Sequence, residues 1–166
     1  MNTILCRAVL CAFLLIAALT AAPAQDWPSR NVTVIVPVPA GVASDIVAGM
    51  VFEQVGRQVG HTFVVENRPG AGGTIGGNTV AKAAPDGHTI LVWGSIAAAN
   101  ALYTKLPYDT LRDFVPVAAL GQTPLVVVTG PGHFKSLSEL VSTAKANPGK
   151  LNYATVGVGS AAHFGA

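Results

Sequence analysis

The stretch that most constrains this chain is residues 64–92, which reads as strand, glycine-rich loop, helix and strand. Its β-branched opening suits a strand, and the proline and glycines of residues 69–73 supply the backbone angles of a tight loop. We expect Thr74 to cap the helix, whose small residues would let it lie close on a sheet. An apolar strand is expected at residues 89–92. This spacing makes a βαβ unit and predicts a parallel sheet.

Composition agrees with an α/β fold and excludes some partners. Of the 166 residues, 51% are hydrophobic, and 18 glycines and 11 prolines suit a fold with many turns better than a helical bundle. The formal net charge is +2, without any run of lysine or arginine. Nucleic-acid binding usually needs a concentrated basic surface, so no nucleic-acid partner is expected.

Residues 1–24 are typical of an export signal. Arg7 supplies a positive charge, and the apolar run at residues 8–19 is short for a membrane span. Small residues at 22–24 predict cleavage before Gln25 and a periplasmic location, with an uncleaved anchor as the alternative. Both cysteines lie in this segment, so the exported chain would hold no disulfide and no thiolate metal site.

The next element is a strand and a helix that together predict an anion site. Residues 32–36 are β-branched, and Ser44 or Asp45 is expected to cap a helix that ends at Gly60. Unpaired N–H groups and the helix dipole at such a start attract a carboxylate. Capping alone would also explain Ser44 and Asp45. The helix is expected to face the sheet with Ile46, Val47, Met50, Val51, Gln54 and Val55.

Further candidates come from loops that follow strands, since such loops line the ligand crevice of a parallel sheet. Ser95 and Asn100 qualify on this ground, although a turn serine and a solvated asparagine are equally good interpretations. His163 lies near a helix start beside Ser160 and could donate a hydrogen bond to an anion, or could simply be solvated. Arg68 is expected to pair with Glu66 instead of holding a ligand.

The second half predicts three strands and one capped helix. Residues 114–120, 125–129 and 151–156 have strand character. Ser136 and Glu139 have the spacing of a capping box, which predicts a helix through Ala146.

No pattern indicates catalysis, a cofactor or a metal. Gly157 and Gly159 have dinucleotide-motif spacing, but no acidic residue follows at the required distance. No nucleophile elbow surrounds Ser95 or Ser160, and the four histidines are scattered. A secreted enzyme with a small α/β core remains the alternative from another functional class.

Taken together, the sequence resembles the Bug-type receptors of tripartite tricarboxylate transporters, which are periplasmic solute-binding proteins. The resemblance extends over nearly all of the chain after the export signal. Its most specific part is Asn-Arg-Pro-Gly-Ala-Gly-Gly at residues 67–73. It also rests on residues 27–30, 32–45, 65–66, 81–87, 106–109, 113–114, 148–153 and 157–163.

The resemblance implies a two-lobed α/β fold of the periplasmic binding protein type II kind with parallel-rich sheets. The first lobe would cover residues 25–120, and residues 121–166 would begin a second, incomplete lobe. Such a receptor holds a small organic acid or other carboxylated solute between its lobes and delivers it to membrane transporter subunits without catalysis. The implied ligand-binding residues are Pro39, Ala40, Gly41, Ser44, Asp45, Ser95, Asn100, Thr155, Gly157, Gly159, Ser160 and His163.

Two departures from the family pattern qualify these expectations. Val42 and Ala43 stand where the family usually has more glycine, which adds bulk near the site and narrows the backbone angles. The chain also resembles only about the first half of such receptors. We therefore expect unpaired sheet edges and weak ligand binding by this polypeptide alone, and a nonfunctional truncated remnant is the alternative to a working receptor.

Overall fold

The computed structural model describes residues 26–155 and 157–165, so the predicted export signal and Val156 lie outside the described residues. The strands are β1 (Val32–Val36), β2 (Phe63–Asn67) and β3 (Thr89–Leu91). The helices are α1 (Ala43–Val59), α2 (Thr74–Ala81), α3 (Ala99–Leu102), α4 (Leu137–Ala146) and α5 (Ala161–Gly165). Short 3-10 helices cover Ala71–Gly73 and Ile96–Ala98.

The three strands form one parallel sheet in the order β2-β1-β3. Val34 of β1 lies opposite Val65 of β2 and Ile90 of β3. Parallel pairing of β2 and β3 with the same central strand confirms the sheet predicted from the βαβ unit. Both strands of that unit and the strand predicted at residues 32–36 are present, although β3 ends one residue earlier than expected.

Helices cover the two faces of β1. Val34 and Val36 are fully buried in a core with Ala48 and Phe52 of α1, whereas Ile35 points to the opposite face and meets α2. Burying one such aliphatic side chain stabilises the fold by about 1.5–3 kcal/mol. The alternation of side chains along β1 therefore places a helix layer on each side of the sheet.

The start and the buried face of α1 differ from prediction. The helix begins at Ala43 with Val42 as its N-cap residue, and no side chain caps it. Asp45 instead accepts a hydrogen bond from the N–H of Gly41, upstream of the helix. Ile46 and Met50 are 52% and 60% exposed, so their predicted inward orientation is wrong. The helix packs through Ala48 and Phe52, and it ends at Gly60 as predicted.

Helix α2 packs closely on its neighbours at two adjacent glycines, Gly76 and Gly77. Its N-cap is Gly73, and the Thr74 hydroxyl donates a hydrogen bond to the Ala71 carbonyl instead of capping the helix. A Cβ built on Gly76 would lie 2.8 Å from Pro37 Cβ, and one on Gly77 would lie 3.0 Å from the Trp93 ring. These glycines, and not the alanines near residue 81, allow the close approach.

We expect Gly76→Ala and Gly49→Ala to change stability in opposite directions. In an open helix position, alanine is favoured over glycine by roughly 0.5–1 kcal/mol. Gly49 in α1 has open space around it, so its substitution should stabilise the protein by that amount. At Gly76 the new methyl group would meet Pro37 and Ile35, and overpacking should cost roughly 1–3 kcal/mol. Urea denaturation measures both values, and equal signs would contradict the packing described.

The strands predicted at residues 114–120, 125–129 and 151–156 are not formed among the described residues, which do not include Val156. Val115 and Val117 are 85% and 88% exposed. A strand needs a hydrogen-bonded neighbour, and in the described part of the chain no segment pairs with these residues. Their β-branched composition therefore does not produce a sheet here.

The serine half of the capping box predicted at the start of α4 is confirmed. Ser136 Oγ accepts a hydrogen bond from the Glu139 N–H at 3.2 Å. The Glu139 carboxylate differs from the predicted pattern, because it accepts the N–H of Lys135, one residue before the N-cap, at 2.7 Å. Among the helices of residues 26–155 and 157–165, none is long and apolar enough to cross a bilayer.

The segment before β1 is tied to the turn before β3 by polar contacts. Arg30 and Asp86 form an ion pair at 2.8 Å, and the Ser29 N–H donates to Nε2 of the buried His88 at 3.2 Å. The Asp86 carboxylate also accepts the His88 N–H. This backbone bond, assisted by Arg30, lowers the pKa of Asp86 from 3.8 to about 2.

We expect Asp86→Asn to weaken the fold at neutral pH but not at strongly acidic pH. The ionised carboxylate is favoured in the folded state, so its contribution is present above pH 3.8 and is lost as the pH falls towards about 2. Urea midpoints of the two proteins should therefore differ near pH 7 and converge near pH 2. A gap that stays constant across this range would show that the carboxylate charge does not stabilise the turn.

Candidate functional site

The carboxyl ends of the three strands meet at one edge of the sheet. The chain passes from β1 to β2 on one side and then crosses to β3 on the other side. In such open sheets, ligands bind where the strand order reverses, here between β1 and β3. The loop after β1, residues 37–42, and the loop after β3, residues 92–95, border this crevice.

The loop after β1 is held by the carboxylate of Asp45. One oxygen accepts a hydrogen bond from the Gly41 N–H, and the other accepts one from Asn67 Nδ2, both at 2.8 Å. Asn67 Nδ2 also donates to the Val38 carbonyl at 3.2 Å. The Gly41 N–H foremost, and then the Asn67 amide, hold the pKa of Asp45 below its ordinary value. Asp45 is therefore a charged anchor of the loop.

The start of α1 presents free donors beside this anchor. The N–H groups of Ala43 and Ser44 and the Ser44 hydroxyl have no hydrogen-bond partner among the described residues. Orphan N–H groups at the start of a 17-residue helix carry partial positive charge. The Gly41 N–H, in contrast, is already bound by Asp45. Sequence reasoning missed Ala43, because it placed the start of the helix at Ser44 or Asp45.

The candidate residues in and after the loop that follows β3 make hydrogen bonds within the protein. The Ser95 carbonyl accepts the Ala98 N–H at 3.0 Å at the start of a 3-10 helix. Asn100 is exposed, and its side-chain oxygen accepts a hydrogen bond from the Thr110 hydroxyl. The structure therefore does not place Asn100 in a polar cluster with the other candidates.

Pro39 and Ala40, which also belong to the predicted site, are exposed at the tip of the loop after β1.

The last predicted loop, residues 157–163, makes its own internal hydrogen bonds. The Gly157 N–H donates to the Thr155 hydroxyl at 3.1 Å, and Ser160 Oγ accepts the His163 N–H at 3.2 Å. His163 Nδ1 is buried and has no hydrogen-bond partner within the described residues. The backbone of this loop touches Gly72 of the glycine-rich segment, which joins it to the lobe that carries the sheet.

The remaining predictions concern charge and metals. Arg68 pairs with Glu66 at 2.9 Å, as predicted for an ion pair. No group of three or more potential metal ligands comes together in residues 26–155 or 157–165.

We expect Asn67→Ala to raise the pKa of Asp45. The variant removes one of the two hydrogen bonds that stabilise the carboxylate, but the larger effect of the Gly41 N–H remains. The value should therefore move towards 3.8 without reaching it. NMR titration of the carboxyl carbon measures this change.

Arg68→Ala is the matched control, because Arg68 follows Asn67 directly and makes its side-chain bonds to Glu66 instead of Asp45. An unchanged Asp45 titration in Asn67→Ala, or an equal shift in both variants, would contradict the anchoring role of Asn67.

Comparison with known proteins gives a consistent result. The family model described as "Tripartite tricarboxylate transporter family receptor" matches residues 47–166. Protein BugT of Bordetella pertussis is 38% identical over an alignment of 169 positions, which covers 99% of this chain and 52% of BugT. The chain spans about half the length of the curated relatives it matches.

Solved structures agree with this match. The periplasmic binding protein BugD is similar with a TM-score of 0.65 and 34% identity, over 83% of this chain and 47% of BugD. MatC from Rhodopseudomonas palustris, solved with bound malate, has a TM-score of 0.60 and 38% identity, over 72% of this chain and 42% of MatC.

Proposed function

This chain belongs to the tripartite tricarboxylate transporter receptor family, and from that membership we propose that it acts as an extracytoplasmic solute-binding receptor. The receptor captures a small carboxylated metabolite between two lobes in the periplasm and delivers it to membrane transporter subunits. No catalytic step is part of this proposal. The first lobe is assigned to residues 25–120 and the beginning of the second to residues 121–166, after an export signal at residues 1–24.

The observation that carries the proposal is the group of donors at the start of α1 that no described residue binds. The N–H groups of Ala43 and Ser44 and the Ser44 hydroxyl lie at the start of a long helix, next to the crevice between β1 and β3. A carboxylate supplies the charge and the paired oxygen atoms that such donors bind. The similarity to MatC, which was solved with bound malate, supports the same class of solute, since malate has two carboxylates.

The charge of Asp45 narrows the expected solute further. Asp45 is ionised and lies one residue from the free donors, so a bound carboxylate would experience repulsion from it. A solute that also carries a hydroxyl or ammonium group can direct that donor towards Asp45 and offset the repulsion. We therefore favour hydroxy or amino dicarboxylates over simple alkyl dicarboxylates.

The second side of the site is assigned to the loop of residues 157–163, with Thr155 as its support. Ser160 and His163 place a hydroxyl and an imidazole in this loop, and the imidazole has a buried nitrogen that no described residue binds. Both groups can donate hydrogen bonds to a second carboxylate. Ser95 completes the side formed by the first lobe.

We expect malate to shift the NMR signals of the Ala43 and Ser44 amide protons, even if it binds only weakly. Malamide, which has the same shape but no charge, should leave both signals in place because it lacks the carboxylates. Absence of shifts with malate and aspartate at millimolar concentration, or equal shifts with malamide, would contradict the proposal.

The variant Ala43→Pro provides a second test. Proline fits the first position of a helix and removes only an N–H that no described residue binds, so the fold should be retained. Loss of one charge-assisted hydrogen bond should weaken malate binding by about tenfold or more. Leu137→Pro is the matched control, since it makes the same change at the first position of α4. Equal effects of the two variants would contradict a role for the Ala43 amide.

A further inference from the structure

The glycine-rich segment and the predicted loop at residues 157–163 touch through their backbones. Gly72 has a left-handed φ of 63° within the 3-10 helix Ala71–Gly73. A Cβ built on it would lie 2.8 Å from the Val158 carbonyl oxygen and 3.2 Å from Gly159 Cα. It would also lie 3.0 Å from the Tyr103 hydroxyl. No side chain larger than hydrogen fits in this space.

Gly159, on the other side of this contact, also has no room for a side chain. Gly159 is buried and has a φ of 87°. A Cβ built on Gly159 would lie 3.0 Å from Gly72 Cα, whereas carbon atoms in favourable contact are about 3.5–4.0 Å apart. Glycine is therefore required at both positions, for the backbone angle and for the close approach.

The glycine-rich segment is itself held by hydrogen bonds and by contact with Trp93. The Gly73 N–H donates to the Gly70 carbonyl at 2.9 Å, and the Thr74 hydroxyl donates to the Ala71 carbonyl. A Cβ on Gly73 would lie 2.6 Å from the Trp93 ring, so the segment rests directly on that side chain. It is thus a rigid support, connected to the sheet through α2.

We propose that Gly72 and Gly159 are positioning residues, whose backbone contact seats the loop of residues 157–163 against the lobe that contains the sheet. This inference deepens the proposed function and rests on it for the ligand-binding role of that loop. The proposal requires no contact between the glycine-rich segment and a solute. It acts through Gly159, by fixing where Ser160 and His163 stand relative to the start of α1.

Millisecond hydrogen exchange on the full chain, without any ligand, tests this contact. Gly72→Ala should speed exchange of the Ser160 and His163 amides by about fivefold or more, because the added methyl group displaces the loop. Gly60→Ala is the matched control, since Gly60 has a similar φ of 73° but open space around it. It should leave these two amides at the wild-type exchange rate. Unchanged exchange in Gly72→Ala, or equal acceleration in both variants, would overturn the proposal.

The reciprocal variant guards against a failure of Gly72→Ala to fold. Gly159→Ala should speed exchange of the Gly73 amide, whereas Gly149→Ala should not, because Gly149 has a φ of 73° and no neighbour within 4 Å. Failure of this difference would also overturn the proposal. Because malate is absent, the outcome is separate from that of the proposed function: coupled exchange without any malate-induced shift would leave the glycine contact standing and reject the receptor role.

Discussion

Parallel pairing of β1 with a neighbour on each edge determines where the loops of this protein lie. Because β2 and β3 run in the same direction as β1, all three strands end at one edge of the sheet. The loop after β1, the glycine-rich segment after β2 and the loop after β3 are consequently neighbours. Antiparallel pairing of either strand would have moved one of these loops to the opposite edge. The candidate site is thus a consequence of strand direction before any polar residue is considered.

The polar residues of the site divide into those that hold the loop and those that remain free. Asp45 accepts hydrogen bonds from Gly41 and Asn67, and Asn67 also donates to the Val38 carbonyl. The N–H groups of Ala43 and Ser44 have no partner among the described residues. The negative carboxylate of Asp45 keeps the loop in place beside the partly positive start of α1 and does not occupy the N–H groups of Ala43 and Ser44. The same anchor imposes a repulsion that a bound anion must offset. Loop rigidity and solute preference are therefore linked through one carboxylate.

The sequence predicted the sheet well because its signals are local. The βαβ unit of residues 64–92 and the β-branched run of residues 32–36 are both recognisable from residues that are close in sequence. The buried face of α1 was harder, because apolar residues occur around much of the helix and only contact with Val34 and Val36 selects Ala48 and Phe52. The strand predictions at residues 114–120 and 125–129 were wrong for a related reason. Strand propensity depends on neighbouring residues, whereas a strand also needs a hydrogen-bonded partner that is distant in sequence.

In the candidate site, the sequence indicated the loops but not the division of roles within them. Asp45 was expected to bond forward into the helix, and the structure shows it bonding backward to Gly41. Asn67 was part of a recognised motif, but its contact with Asp45 joins residues that are 22 positions apart. Gly72 and Gly159 are still farther apart in the sequence, and glycine has no side chain whose pattern could predict their contact.

The glycine side of α2 has a consequence for how this part of the protein assembles. The helix has eight residues, two of them internal glycines, each of which costs roughly 1 kcal/mol of helix stability relative to alanine. Such a peptide cannot remain helical in water by itself. It is helical here because Trp93, Pro37 and Ile35 press against it. Local separation of β1 from β3 would therefore unwind α2 at the same time, which makes the three elements one cooperative folding unit.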